Sequence, residues 1–143
     1  MHLDEYLGTT HQAQTALAGA FRQVADAHGD EPDLAHLCEI LAAQCDTHAA
    51  RLKPFAPADA DAPTHAFGGP RSGPLGLLRD LLDLYVLASA CDMAWTIVGQ
   101  AARGARNEDL LGVVTACESE TAIQLKWLTT RIKQAAPQTL VVA

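Results

Sequence analysis

The chain has 143 residues, a formal net charge of −7 and 49 % hydrophobic residues. This length fits one domain, covering residues 1–143, with a sizeable buried core. Only ten Lys and Arg are present and they form no basic cluster. Since nucleic acids and anionic membranes are recognised by concentrated positive charge, the composition argues against both as partners.

The N-terminus lacks the basic and apolar regions of a signal peptide. The longest apolar run, Leu84 to Gly99, is interrupted by Asp92 and is shorter than the roughly 20 residues that span a bilayer. We therefore expect a cytoplasmic protein. Its four cysteines form no CxxC pair, and in that compartment they are expected to remain thiols.

Two helices are predicted in the N-terminal half. Apolar residues at three- and four-residue spacing predict the first from about residue 3 to 28, ended by Gly29. The acidic residues within 30–33 favour the start of the second, which ends before Pro54. Because only a few residues join them, these helices should form an antiparallel hairpin.

A long connection precedes the second pair of helices. Residues 54–74 are rich in Pro, Ala, Asp and Gly and show no helical or strand period. The third helix is predicted from near Pro74 to Gly104, and the fourth from a cap at Asn107 to a stop before Pro137. Extended, the connection could cover about 65 Å, whereas a 26-residue helix is about 39 Å long. We predict an all-α four-helix bundle of two antiparallel hairpins joined by one long crossover.

Near its middle, each predicted helix has polar residues on its inward face. With a lengthwise crossover these positions lie at one height in the bundle. Buried polar groups need hydrogen bonds, a charged partner or a metal ion, so this layer is where a site would lie. The polar layer comprises Gln14, Cys45, His48, Asp92, Cys117 and Thr121.

The two hairpins, the crossover and the polar layer resemble the ferritin-like superfamily over residues 3–136, and most closely its small stress-associated bacterial members. The resemblance implies a di-iron site built from a Glu on each of two helices and a Glu-x-x-His motif on each of the other two. In this sequence the second helix keeps the His of that motif at His48, but Cys45 replaces its Glu. Asp92 stands near where the third helix would supply Glu.

The remaining positions depart further from the family pattern. Glu118 can represent the Glu of the fourth helix, but Thr121 occupies the position of its His, and Gln14 replaces the carboxylate of the first helix. Two iron ions need several carboxylates to bridge them and to balance their charge. We therefore expect a degenerate bundle with no intact di-iron centre and no cofactor. Its role is expected to be structural or interactive, rather than that of an enzyme.

The alternative is a protein that binds one metal ion (zinc, copper or iron) in the layer. Cys45 and His48 are spaced i, i+3 on one face, so both could reach the same ion. The competing interpretation is that His48 is hydrogen-bonded to Gln14 or Asp92 and the cysteines pack as small apolar groups. The candidate metal ligands are His48, Cys45, Asp92, Glu118 and Cys117.

The third predicted helix also has a second apolar face, about 130° around the helix from the first. A helix that is apolar on two faces is either central in a core or buried in an oligomer, and a four-helix bundle has no central helix. We therefore predict a homodimer that packs through this outer stripe; the alternative is that residues 54–74 cover it. The outer stripe comprises Leu82, Val86, Met93 and Ile97.

Overall fold

The computed structural model describes residues 2–58, 60, 63 and 65–142 of the chain, and these residues contain no β-strand. Four long helices pack together, so the predicted all-α bundle is confirmed. The helices are α1 (His2–Ala27), α2 (Pro32–Leu52), α3 (Gly73–Gly104) and α4 (Glu108–Pro137).

The ends of the helices follow the local signals in the sequence, with one exception. The side chain of Asn107 caps α4 by accepting a hydrogen bond of 3.1 Å from the backbone N–H of Leu110. The predicted stop before Pro137 is wrong, because α4 includes this proline and continues into a π-helical turn, Gln138–Val142. Proline has no N–H to donate, and the wider turn begins directly after it.

The hydrophobic core has two halves, one at each end of the bundle. One half contains residues from the end of α1 and the start of α3, for example Val24 and Leu81. The other contains residues from the start of α1 and the end of α3, for example Leu7 and Val98. The helices α1 and α3 are therefore antiparallel.

The connection between α2 and α3 starts at one end of the bundle and finishes at the other. Leu52, the last residue of α2, lies in the half of the core that contains the start of α1, and Phe55 packs against this half too. At the other end of the connection, Phe67 packs against the half of the core that contains the end of α1, and Leu77 lies within that half. Phe55 and Phe67 therefore pack against the core and not against the outer stripe of α3, whereas Pro63 and His65 of the same connection line a cavity beside Met93.

Among the described helices, α3 is the one whose length and apolar composition would be sufficient to cross a membrane. Core helices of soluble proteins meet the same criterion. In α3 the inward side chains of Leu84 and Trp95 are fully buried, whereas the outer stripe is exposed. The apolar character of this helix therefore comes from two faces, and only one of them lies in the core.

Candidate functional site

His48 lies at the centre of the polar layer and is fully buried. Its Nδ1 is 3.3 Å from Oε1 of Gln14 on α1. Because an amide oxygen can only accept, Nδ1 carries the hydrogen and donates it. The imidazole also packs edge-on against the indole of Trp95, with ring centroids 5.8 Å apart and planes at 88°. His48 therefore joins α2 to both α1 and α3.

Hydrogen bonds from α4 complete the layer. Nε1 of Trp95 donates to Oγ1 of Thr121 at 3.0 Å, and this hydroxyl donates to the carbonyl oxygen of Cys117 at 2.9 Å. Nε2 of Gln124 donates to Oε1 of Gln44 at 3.0 Å. These contacts link α4 to α3 and to α2, so the layer connects all four helices through polar side chains.

Two members of the layer were not identified from the sequence. Trp95 lies on the apolar face of its helix, where a buried indole N–H usually needs an acceptor. Gln124 was not considered, although it follows Thr121 by three residues and so lies on the same helical face. Both signals were present in the local pattern.

The two cysteines of the layer are buried thiols. Burial raises the pKa of Cys45 to about 12 and that of Cys117 to about 11. Sγ of Cys45 lies 3.9 Å from Oε1 of Gln124. Because a thiolate is the form that attacks an electrophile, neither cysteine is activated for nucleophilic chemistry at neutral pH.

The predicted position of Asp92 inside the layer is wrong. Asp92 is half-buried, and burial together with the nearby charge of Glu118 raises the pKa of its carboxyl. Its neighbour Cys91 is buried within the core instead. With Leu84 and Val98, Cys91 forms a seven-residue repeat at the middle of the inward face of α3, whereas Asp92 lies about 100° further around.

The residues of the layer do not fit a di-iron centre. The expected ferritin-like pattern would need carboxylates at Gln14 and Cys45 and a histidine at Thr121, and none of these side chains supplies such a group. Within the described part of the chain, no group of three or more His, Cys, Asp or Glu side chains is arranged to hold a metal ion. The structure thus does not assemble the five candidate ligands, which are His48, Cys45, Asp92, Glu118 and Cys117.

The second nitrogen of His48 faces a carboxylate. Nε2 lies 3.6 Å from Oε1 of Glu120, which is at the edge of the layer with its side chain 35 % exposed. Within the described residues, Nε2 has no hydrogen-bond partner. Burial lowers the pKa of His48, and this effect is larger than the opposing effect of Glu120. The neutral imidazole is therefore the form that stabilises the folded chain.

We expect the free energy of unfolding to fall as the pH drops below about 6.5, the ordinary pKa of histidine. The unfolded chain binds a proton at His48 more readily than the folded chain, so acidification favours unfolding, with a limiting slope of about 1.4 kcal/mol per pH unit. Denaturant unfolding at pH 7.5 and 5.5 measures the change. The variant His48→Gln should lose this part of the pH dependence of the free energy of unfolding. The variant His36→Gln, at an exposed position, should keep it. An unchanged pH dependence in His48→Gln would contradict the assignment.

A second buried polar cluster lies at one end of the bundle. Asp80 on α3 is fully buried, and its Oδ2 is 2.7 Å from Nε2 of His28, the residue after α1. The same carboxylate accepts hydrogen bonds from the backbone N–H of Arg71, at 3.0 and 3.2 Å, and from its Nη1, at 3.1 Å. The cluster therefore ties the end of the α2–α3 connection to α1 and α3.

This cluster was also missed in the sequence. His28 was assigned to a helix end, and Asp80 was not singled out, although it lies between the inward-facing Leu77 and Leu81. A carboxylate on an apolar face was the available signal.

No protein-family model, curated protein or solved structure matches this chain. The polar layer and the outer stripe of α3 are the features on which a functional proposal stands.

Proposed function

We propose that this chain is a degenerate ferritin-like four-helix bundle with a structural or interaction role, and that its partner is a second copy of itself. The observation that carries the proposal is the outer stripe of α3. Its four large apolar side chains are each between 46 and 58 % exposed. Contiguous apolar surface of this kind marks an interaction site.

The polar layer supports a structural role for the interior. Its side chains bond mainly to one another, as in the pairs His48–Gln14 and Trp95–Thr121. A buried polar network of this kind favours particular helix neighbours and a particular register, because other arrangements leave more polar groups unpaired. In the observed arrangement, Nε2 of Gln14 and Nε2 of His48 are the layer atoms without a hydrogen-bond partner among the described residues. The lengthwise link between α2 and α3 supports the ferritin-like assignment, in which the metal ligands have been replaced.

The cysteines support a cytoplasmic location as part of the proposal. All four are free thiols and all are buried. A chain that keeps four unpaired thiols suits a reducing compartment. In this proposal the thiols contribute packing and carry out no redox chemistry.

The wild-type chain is expected to sediment as a dimer, with a mass near twice the 15.2 kDa of one chain. Burial of the outer stripe on both copies provides the driving force. Sedimentation equilibrium from about 1 to 100 µM covers the range of a moderately stable homodimer. A single species of one chain's mass across this range would overturn the proposed self-association.

The single-metal interpretation is a second proposal, favoured by one observation. Nε2 of His48 and Oε1 of Glu120 face each other at 3.6 Å, which is a nitrogen and an oxygen donor in one place. Elemental analysis after incubation with Fe(II) and with Zn(II), followed by gel filtration, tests it on the same sample. About one ion retained per chain, and lost in His48→Ala, would replace the structural interpretation of the layer with a metal site.

A further inference from the structure

The outer stripe of α3 is symmetric about its own midpoint. Its residues are separated by four, seven and four positions, and the midpoint lies between Ser89 and Ala90. The stripe residues themselves are uncharged, and the two carboxylates between the first and the last of them, Asp83 and Asp92, are partly buried beside the stripe. The stripe residues are Leu82, Val86, Met93 and Ile97.

We infer that two copies pack their α3 helices antiparallel, across a two-fold axis through this midpoint. The inference rests on the proposed dimer and adds its geometry. In a two-fold contact, residue i meets residue j and j meets i. Leu82 then faces Ile97 of the second copy, and Val86 faces its Met93. Each large side chain is paired with another large one, in four pairs around the axis.

The residues at the midpoint are suited to a helix crossing. Ser89 and Ala90 are small and lie at the boundary of the exposed face. Two helices approach to between about 8 and 10 Å, and small residues at the crossing point permit the shorter distances. The larger stripe residues on either side then fill the space between the diverging helices.

Charge favours the antiparallel arrangement over the parallel one. In a parallel, in-register pair, Arg79 would face Arg79 and Arg103 would face Arg103 of the second copy, and all of these are exposed. Like charges directly opposite each other are destabilising. In the antiparallel pair, Arg79 faces Gln100 and Arg103 faces Gly76, so the arginines are offset by three residues, about 4.5 Å along the axis, and are not directly opposite each other.

Distances between spin labels on the two copies test the geometry. Arg79→Cys and Gln100→Cys, labelled in separate samples, leave the stripe intact. In the antiparallel dimer each label lies 21 residues along the helix from its counterpart, so both samples should give about the same distance, near 32 Å. A parallel dimer should give less than about 20 Å at both sites, since equivalent residues then face each other across adjacent helices.

The native cysteines should not take up the label, because burial raises their pKa to about 12 for Cys38, Cys45 and Cys91 and to about 11 for Cys117. Labelling of the wild-type chain is the control. Short or unequal distances in a dimeric sample would overturn the antiparallel arrangement and leave the dimer standing. A sample with no dipolar coupling and one chain's mass would overturn the dimer itself and leave the stripe to a different partner or a lipid surface.

Discussion

Replacing Asp80 by alanine should lower the free energy of unfolding by about 3–5 kcal/mol, the cost of removing one partner from a buried ionic cluster. The carboxylate is inaccessible to solvent and accepts hydrogen bonds from His28 and from both the backbone and the side chain of Arg71. Without it, the buried imidazole loses its partner and Arg71, at the end of the α2–α3 connection, loses the hydrogen bonds that its backbone and side chain make to Asp80. Urea unfolding monitored by circular dichroism measures the loss.

Asp83 provides a matched control for Asp80. It lies three residues later on α3 and also pairs with Arg71, at 2.8 Å, but its side chain is 35 % exposed. Asp83→Ala should therefore cost less than about 1 kcal/mol. If Asp80→Ala does not fold, Asp80→Asn keeps the shape of the side chain and allows the comparison. Equal losses at the two positions would show that burial and the contact with His28 contribute nothing.

The double substitution Val86→Glu with Met93→Glu should dissociate the proposed dimer and raise its Kd by a factor on the order of 1,000 or more. In the antiparallel contact these two positions face each other, so four carboxylates would be desolvated close together near the axis. Like charges without partners at a buried contact are strongly unfavourable. Sedimentation equilibrium should show one chain's mass for this variant at concentrations where the wild-type chain is expected to have twice that mass.

The corresponding control places the same charges on other apolar residues of the surface. Ile40 on α2 and Ile123 on α4 are 43 and 64 % exposed. Ile40→Glu with Ile123→Glu should leave the dimer intact, since neither residue belongs to the outer stripe. A helical content equal to that of the wild type excludes unfolding as the cause in both double variants. A stripe variant that remained dimeric would place the interface elsewhere.

Much of the local structure could be predicted from individual segments. The four helices were located because apolar spacing, the cap at Asn107 and the turn-forming glycines and prolines act within a few residues of one another. The contact of His48 with Gln14 was also anticipated as one of two possibilities, since each interrupts an apolar seam at the same height. These inferences depended only on the period of a single helix and on the length of a loop.

The assignments that failed depended on neighbours from other helices. Cys91 and Asp92 differ by only 100° around α3, and the sequence of a 32-residue helix does not define the centre of its inward face that finely. The packing of α1 and α4 against α3 decides which of the two is buried. Similarly, Asp80 and His28 are 52 residues apart, so no local pattern could pair them.

The sequence by itself determined the helices, the cap at Asn107, the polar interruptions in the apolar seams and the second apolar face of α3. These are periodic or short-range properties, and the physics that produces them acts within a turn or two of one helix. The tertiary structure decided which polar side chains become partners. It placed Trp95 and Gln124 in the layer, Asp92 outside it and Asp80 beside His28. Such pairing depends on helix directions, rotations and adjacency, and these are settled only when all four helices pack together.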